Sequence, residues 1–181
     1  MIKRLPSGRL RLSVLAAVGG ALLLPTTTLA ANITGTSGAD TIYGTQGDDN
    51  IAARAGADTV YARGGDDIVR GGSGGDDLHG ADGQDVISGG KGSDTIRGGR
   101  RADDLMGDGG NDTIYGGRGG DTIYGGPGSD ELHGGRGNDV IQAVDGEADM
   151  IWCGPGSDDT AHVDGSLDIV ASDCENVATL G

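Results

Sequence analysis

The chain has no phenylalanine, one tryptophan and four tyrosines, so aromatic residues make up only 3% of its 181 residues. Basic residues are also scarce, with 13 Lys and Arg against 28 Asp and Glu and a formal net charge of −15. Such an acidic surface repels nucleic-acid phosphates, which argues against a nucleic-acid partner. With so few aromatics and 39 glycines, the chain is poor material for an ordinary mixed core. A chain of this composition stays unfolded in water unless the binding of a cation drives its folding.

Long hydrophobic runs are absent except for Leu12–Leu24, which Pro25 ends and which basic residues precede at Lys3, Arg4, Arg9 and Arg11. The run is shorter than the ~20 residues that a membrane-spanning helix needs. The small residues around Ala30 suit a signal peptidase, so residues 1–30 are predicted to be a secretory signal peptide. The alternative is a retained membrane anchor. We expect a soluble, secreted, extracellular mature chain with no membrane span after cleavage.

What the sequence does contain is a nine-residue repeat. Aspartate recurs at twelve positions spaced nine apart, namely Asp40, Asp49, Asp58, Asp67, Asp76, Asp85, Asp94, Asp103, Asp112, Asp121, Asp130 and Asp139. An aliphatic residue follows each by two positions, and a glycine precedes each by two, except at Arg101. The unit is G-G-x-G-x-D-x-U-x, where U is aliphatic. Its cleanest copies are Gly71–His79, Gly89–Arg97, Gly116–Tyr124 and Gly134–Gln142.

Each part of this unit has a physical role. The G-G-x-G segment predicts a tight turn, and x-U-x predicts a short strand with its aliphatic side chain pointing inward. One inward side chain per unit makes a core only when the units stack. Stacking also places aspartates roughly 5 Å apart, and the repulsion between them is removed by a hard cation bound to carboxylates and glycine carbonyls.

The repeat resembles the RTX, or haemolysin-type, calcium-binding nonapeptide, over Gly35 to Gln142. This resemblance implies an all-β fold, a parallel β-roll or right-handed β-solenoid of about six coils. It also implies several Ca²⁺ ions between the loops of repeats n and n+2, with the twelve aspartates as metal ligands. The best-formed pairs are Asp76 with Asp94, Asp94 with Asp112, Asp112 with Asp130, and Asp121 with Asp139.

Departures from the pattern predict weaker sites. Arg101 puts a cation where glycine is expected, so we expect weak or empty sites in the Asp103 loop and its neighbours at Asp85 and Asp121. The copies between Gly35 and Arg70 lose glycines to Thr36, Thr45, Ala53, Arg54, Ala62 and Arg63. We therefore expect weaker sites at Asp40, Asp49 and Asp58.

After Gln142 the phase slips, with aspartates at Asp149, Asp158 and Asp168. Residues 143–181 are thus predicted to be atypical terminal repeats that cap the roll, whose repeat domain spans 31–142. Cys153 and Cys174 are the only cysteines of a chain predicted to be exported, which favours a disulfide across the cap. The alternative is a metal-binding or catalytic thiol.

Other motifs do not assemble a catalytic site. Ser73 formally matches G-x-S-x-G but lies inside a repeat loop, and His79, His133 and His162 are isolated. The sequence therefore predicts a non-enzymatic protein.

Two repeats per coil would place the residues flanking each aliphatic of the odd repeats on one outer face, including Tyr43, Tyr61 and Tyr115. Thr and Tyr suit any exposed strand, but this face could also bind carbohydrate or another surface.

The sequence thus predicts a secreted calcium-binding protein whose roll folds on binding Ca²⁺ and acts as a binding or structural module. One alternative is an adhesive that binds a polysaccharide or cell surface, or ice, through its Thr/Tyr face. The other is a polysaccharide-modifying enzyme.

Overall fold

The structure, a computed structural model, describes residues 10–11 and 30–180. The signal peptide predicted over 1–30 therefore lies outside the described residues, apart from Leu10, Arg11 and Ala30. The strands are β1 Leu10–Arg11, β2 Ala31–Thr34, β3 Thr41–Tyr43, β4 Asn50–Ala55, β5 Thr59–Gly64, β6 Ile68–Ser73, β7 Asp77–Asp82, β8 Val86–Lys91, β9 Thr95–Arg100, β10 Asp104–Gly109, β11 Thr113–Arg118, β12 Thr122–Tyr124, β13 Glu131–Arg136, β14 Val140–Ala143, β15 Met150–Trp152, β16 Thr160–Val163, β17 Ile169–Val170 and β18 Asn176–Thr179.

The strands form two parallel sheets that alternate along the chain. One sheet has ten strands in the order β1-β2-β4-β6-β8-β10-β12-β14-β16-β18, and the other has eight in the order β17-β15-β13-β11-β9-β7-β5-β3. Each coil contributes one strand to each sheet, so the predicted parallel β-solenoid is confirmed. The expected coil count of about six was too low. The structure has about eight, because Ala31–Thr34 and the segments after Gln142 stack on the roll as well.

Strand pairing follows the length of two repeats. In the eight-stranded sheet Thr95 pairs with Thr113, and Thr113 pairs with Glu131, each 18 residues further on. Most central strands are six residues long, twice the predicted x-U-x, because the first three residues of the next repeat continue the pairing. An 18-residue coil therefore places equivalent residues of alternate repeats directly above one another.

The core consists of the repeated aliphatic residues. One from every coil of each sheet points inward, and those from Ile51 to Ile151 are all buried. Burying each such side chain stabilises the fold by roughly 1.5–3 kcal/mol, before the entropy cost of ordering the coil. The aspartates that precede the strands, from Asp49 to Asp159, are buried beside this core.

The cap continues both sheets with altered spacing. Cys153 and Cys174 form the predicted disulfide, with their Cα atoms 5.0 Å apart. The pairing offset becomes 20 residues between β14 and β16, where Val140 faces Thr160. The aspartate in phase in this coil is consequently Asp159, which is buried, and not the expected Asp158, which is exposed. Among residues 10–11 and 30–180 no helix of membrane-spanning length and hydrophobicity is found.

Candidate metal centres

The repeated aspartates form two columns, one along each edge of the roll. The first edge consists of the loops that lead into the ten-stranded sheet and carries Asp49, Asp67, Asp85, Asp103, Asp121, Asp139 and Asp159. The second edge leads into the eight-stranded sheet and carries Asp40, Asp58, Asp76, Asp94, Asp112, Asp130, Asp149 and Asp168.

Within each column, one carboxylate oxygen is used to join successive coils. The backbone N–H of Asp67 donates to Oδ1 of Asp85 at 2.9 Å, and that of Asp85 donates to Oδ1 of Asp103 at 2.8 Å. On the second edge, the N–H of Asp94 donates to Oδ1 of Asp112 at 2.8 Å. Each of these aspartates therefore fixes its own side chain to the main chain of the preceding coil.

The other carboxylate oxygen, Oδ2, is buried and has no hydrogen-bond partner within the protein. This holds for six aspartates on each edge, which are Asp67, Asp85, Asp103, Asp121, Asp139 and Asp159 on the first and Asp58, Asp76, Asp94, Asp112, Asp130 and Asp149 on the second. A buried carboxylate oxygen without a partner is strongly unfavourable. Twelve of them at equivalent positions indicate a shared ligand that the protein itself does not supply.

Glycine keeps open the space into which Oδ2 points. A Cβ added to Gly71 would lie 2.5 Å from Oδ2 of Asp76 and 2.6 Å from the carbonyl oxygen of Gly89 in the next coil. A Cβ on Gly98 would likewise lie 2.5 Å from Oδ2 of Asp103. In these loops the first glycine is needed because a carboxylate and a carbonyl oxygen converge beside its Cα, whereas Ala53 and Ala62 occupy the same position in the loops of Asp58 and Asp67.

Burial raises the pKa of these carboxyl groups. On the first edge it raises the pKa of Asp67 and of Asp103 to about 8, and that of Asp121 to about 7. On the second edge it raises the pKa of Asp94 and of Asp149 to about 7. Repulsion from aspartates of adjacent coils adds to the effect of burial, whereas the hydrogen bond from the preceding coil opposes it. A cation between the loops would reverse the balance in favour of the charged form.

The first two loops differ from the rest. Oδ2 of Asp40 accepts hydrogen bonds from the N–H of Thr36 at 2.6 Å and from its hydroxyl at 2.9 Å. Oδ2 of Asp49 accepts from the N–H of Thr45 at 2.5 Å. In these loops the threonine supplies the contact that the glycine loops lack. Asp58, which was also expected to be weak, has an unpartnered Oδ2 like the interior aspartates.

The Asp103 loop keeps the common geometry despite Arg101. Arg101 adopts φ 78°, a left-handed conformation that glycine adopts freely and other residues adopt at a cost. Asp103 still accepts from Asp85 and keeps a buried, unpartnered Oδ2. The weak binding expected for this loop and its neighbours remains a prediction, which now rests on the charge of Arg101 and on its backbone strain.

These loops offer the chemistry that Ca²⁺ prefers. Carboxylate and backbone carbonyl oxygens are its usual ligands, and glycine-rich turns let several carbonyls approach one point. Across the part of the chain that the structure describes, no group of three or more Asp, Glu, His or Cys side chains is arranged to hold a metal. The buried oxygens instead pair a carboxylate with main-chain carbonyls of a neighbouring coil. The residues present therefore fit a calcium ion.

Sequence reasoning missed two members of this set, Asp149 and Asp159, whose Oδ2 atoms are buried and unpartnered in the cap. The uninterrupted spacing of nine ends at Asp139, and one inserted residue in each of the next two intervals displaces Asp149 and Asp159. The available signal was the segment CGPGSDD at 153–159, which matches GGPGSD at 125–130 with one added residue.

The remaining candidate residues lie elsewhere. Ser73 is exposed at the end of β6. His79 and His133 lie on the outer face of the eight-stranded sheet. There, Tyr43 stacks on Tyr61 and Tyr61 on His79, with ring centroids 5.2 and 4.7 Å apart. Further along, Tyr115 stacks on His133 and His133 on Trp152, at 4.7 and 4.6 Å. We call these two stacks the aromatic ladder; Arg97 lies between them, 5.6 Å from the ring centroid of Tyr115.

The fold and the loops together define a parallel β-solenoid whose edges carry stacked metal-binding turns. Comparison with known families agrees: the RTX calcium-binding nonapeptide repeat matches residues 34–69, 70–105 and 106–141. These segments cover more than half of the chain, which therefore belongs to the RTX calcium-binding repeat family. No curated protein matches the chain as a whole.

Proposed function

We propose that this protein is exported and folds outside the cell by taking up Ca²⁺ at the twelve buried Oδ2 atoms, with a binding or structural role rather than a catalytic one. The observation that carries the proposal is the set of unpartnered oxygens, six on each edge. In the glycine-containing loops, such as those of Asp76, Asp94 and Asp139, Oδ2 lies beside a glycine and a carbonyl oxygen of the next coil, which suits a cation and not a reacting substrate. The ligand set we propose runs from Asp58 to Asp159.

Electrostatics gives a reason for calcium to drive folding. The chain carries a formal charge of −15, and stacking its aspartates concentrates that charge along two lines. An ion that binds only where two coils meet has no equivalent site in the unfolded chain, so its binding free energy contributes to folding. Extracellular calcium modules bind at about 10⁻⁴ to 10⁻³ M, so the chain would stay loose in a low-calcium cytosol and fold after export.

The direct test is a far-UV circular dichroism titration of the chain from Ala31 onward with Ca²⁺, and separately with Mg²⁺. We expect a cooperative transition from coil to β-structure with Ca²⁺ alone, because Mg²⁺ gives up its water shell reluctantly. A fully β spectrum in metal-stripped buffer at neutral pH would show that hydrophobic stacking and the cap suffice. Calcium-driven folding would then be wrong.

Export itself rests on the predicted signal peptide, the disulfide and the family. Disulfides persist in oxidising compartments, and Cys153 and Cys174 are paired. We expect the protein recovered from the culture medium to begin at Ala31, as measured by its intact mass. Recovery of the full-length chain from the membrane fraction would support the retained anchor instead.

A second candidate, binding to a polysaccharide or another surface, rests on the aromatic ladder. The rings of Tyr61 and His133 each stack on a neighbour on both sides, so their faces are covered and only ring edges and polar tips face outward. A ligand would therefore meet a ridge rather than a stacking platform. If Tyr61→Ala combined with Tyr115→Ala leaves retention on cell-wall polysaccharide unchanged, this candidate is removed.

A further inference from the structure

The loop Cys153–Asp159 lies beyond the residues that match the family, which end at 141. It nevertheless has the parts of a repeat loop. Cys153 stands where the first glycine would be, Gly154 takes the second position with φ +92°, and Gly156 takes the fourth. One added residue precedes Asp159, which explains why the nine-residue spacing does not reveal it.

Asp159 has the same bonding as the aspartates inside the roll. It is buried, its Oδ1 accepts the N–H of Asp139 at 2.8 Å, and its Oδ2 has no partner. A Cβ on Gly156 would collide with both carboxylate oxygens of Asp159 and with the carbonyl oxygen of Gly137. A carboxylate and a carbonyl therefore meet beside a glycine here too, although this glycine is the fourth of its loop and the carbonyl belongs to the preceding coil.

Cys153 takes part in the metal-binding geometry through its main chain. A Cβ on Gly134 would lie 2.6 Å from Oδ2 of Asp139 and also 2.6 Å from the carbonyl oxygen of Cys153. This is the arrangement that Gly71, Asp76 and the carbonyl of Gly89 have in the middle of the roll. The carbonyl oxygen of Cys153 thus lies beside the Asp139 loop, in the position that the carbonyl oxygen of a repeat glycine occupies beside the interior loops.

The other half of the disulfide positions the end of the column. The N–H of Asp159 donates to Oε2 of Glu175 at 2.9 Å, where interior loops use the aspartate of the next coil. Glu175 directly follows Cys174, which is bonded to Cys153. Asp173, on the other side of Cys174, accepts from the N–H of Gly154 at 3.2 Å. The disulfide therefore holds the segment 173–175 against the loop 153–159.

We propose that the loop Cys153–Asp159 is a terminal calcium site, with Asp159 and Glu175 as its carboxylate ligands, and that the Cys153–Cys174 disulfide maintains its affinity. The proposal rests on the calcium-dependent function proposed above. It adds a site outside the nonapeptides and makes that site sensitive to thiol reduction, because breaking the disulfide removes the covalent link that holds Glu175 beside the loop and leaves only the pairing of β18 with β16 and the hydrogen bonds of Asp173 and Asn176. The exposed side chain of Glu175 closes the first edge of the roll.

The single tryptophan provides a local probe, because Trp152 is adjacent to Cys153. Terbium replaces Ca²⁺ at oxygen sites and is sensitised by a nearby indole. We would titrate the full chain with Tb³⁺ and record emission excited through tryptophan, while equilibrium dialysis counts bound Ca²⁺. The key pair is Asp159→Asn and its control Asp158→Asn, since both remove one negative charge but only Asp159 is buried.

For Asp159→Asn we expect the tryptophan-sensitised emission to require about tenfold more Tb³⁺ and the calcium count to fall by one, whereas Asp158→Asn changes neither. Glu175→Gln changes an exposed side chain and can be used if Asp159→Asn fails to fold. We expect it to weaken the same emission. Reduction of the disulfide should weaken the tryptophan-sensitised emission. The number of Ca²⁺ ions counted by dialysis should fall by no more than the ion bound at the terminal site. Unchanged emission and stoichiometry in Asp159→Asn and Glu175→Gln would overturn the terminal site.

The failure of this proposal is distinguishable from failure of the proposed function. If the wild-type chain binds no Ca²⁺ in dialysis, the function itself is wrong. If the wild-type chain binds several ions and the Asp159→Asn chain binds the same number, only the terminal site is wrong. If reduction leaves the tryptophan-sensitised affinity unchanged although Asp159→Asn lowers it, the role of the disulfide is wrong.

Discussion

The backbone N–H of Asp76 donates a 2.8 Å hydrogen bond to Oδ1 of Asp94, one coil further along, while Oδ2 of Asp94 lies buried without a partner. One side chain thus serves two purposes. Its first oxygen fixes the coil to its neighbour, and its second oxygen faces the space between loops. Repeated along both edges, this relationship would couple the proposed calcium binding to the stacking of coils.

Replacing Asp94 with Asn tests that coupling. The amide oxygen can still accept from Asp76, but the charge and the better ligand are lost, so we expect the calcium midpoint for folding to rise about tenfold. Asp104, an exposed aspartate at the start of β10, is the matched control, and Asp104→Asn should move the midpoint little. Circular dichroism titrations of both variants measure the effect. Equal midpoints for the two variants would contradict a ligand role for Asp94.

The raised pKa values predict how the calcium-free roll responds to pH. Burial raises the pKa of Asp67 from 3.8 to about 8 and that of Asp94 from 3.8 to about 7. Because the unfolded chain releases these protons first, stability is greatest near pH 4 and is lost as pH rises through about 7 to 8. In metal-stripped buffer we therefore expect more β-structure at about pH 4.5 than at pH 8.

Calcium should reverse this dependence, since protons and Ca²⁺ compete for the same oxygens. The calcium midpoint should rise as pH falls below about 7, the region of the raised pKa values. A calcium-free chain that is equally unfolded at both pH values would show that neutralising these carboxyl groups does not stabilise the roll.

The Thr36→Val variant tests the first loop. It removes the hydroxyl bond to Oδ2 of Asp40, at 2.9 Å, and we expect it to lower the free energy of unfolding in saturating calcium by about 1 kcal/mol. The bound-calcium count should not change. Thr41→Val, at an exposed strand position, should have little effect on stability. A variant that gained a calcium ion would show that threonine blocks a site at Asp40.

The Arg101→Gly variant should stabilise the roll. Arg101 holds φ 78°, a conformation that costs a non-glycine residue about 1 kcal/mol, and it places a positive charge in the Asp103 loop. We expect an unfolding free energy higher by about 1 kcal/mol and tighter calcium binding. The control, Arg100→Gly, alters a strand residue of β9 and should not stabilise. A lower melting temperature for Arg101→Gly in calcium would contradict the prediction.

Much of the architecture could be predicted because each repeat has the same pattern of residues. An inward aliphatic residue, a buried aspartate and a glycine turn recur every nine residues, and only stacking satisfies all three. The interior aspartates, from Asp67 to Asp139, therefore occupy the positions that the repeat predicted. The disulfide was predictable as well, because Cys153 had Cys174 as its only available partner.

Contacts between coils could not be read from the local pattern. Within a loop, the bond from Thr36 to Asp40 was not apparent either, since the repeat shows only that glycine is missing there. The aromatic ladder arises because an 18-residue offset places Tyr61 beside His79 and a 19-residue offset places His133 beside Trp152. The coil count was low because the cap, although out of phase, still has strands to pair.

The sequence by itself determined the stacking unit, its length and the side chain that each unit turns inward, because these depend on a spacing of nine that repeats without interruption. Tertiary structure alone decided which carboxylate oxygens are left without a partner. That depends on contacts within each loop and with the next coil: Thr36 donates to Oδ2 of Asp40 in its own loop, Glu175 accepts from the N–H of Asp159 one coil away, and an inserted residue makes Asp159 rather than Asp158 the buried aspartate. Such neighbours lie 4 to 20 residues apart in the chain, and only the coiling of the backbone brings them into contact.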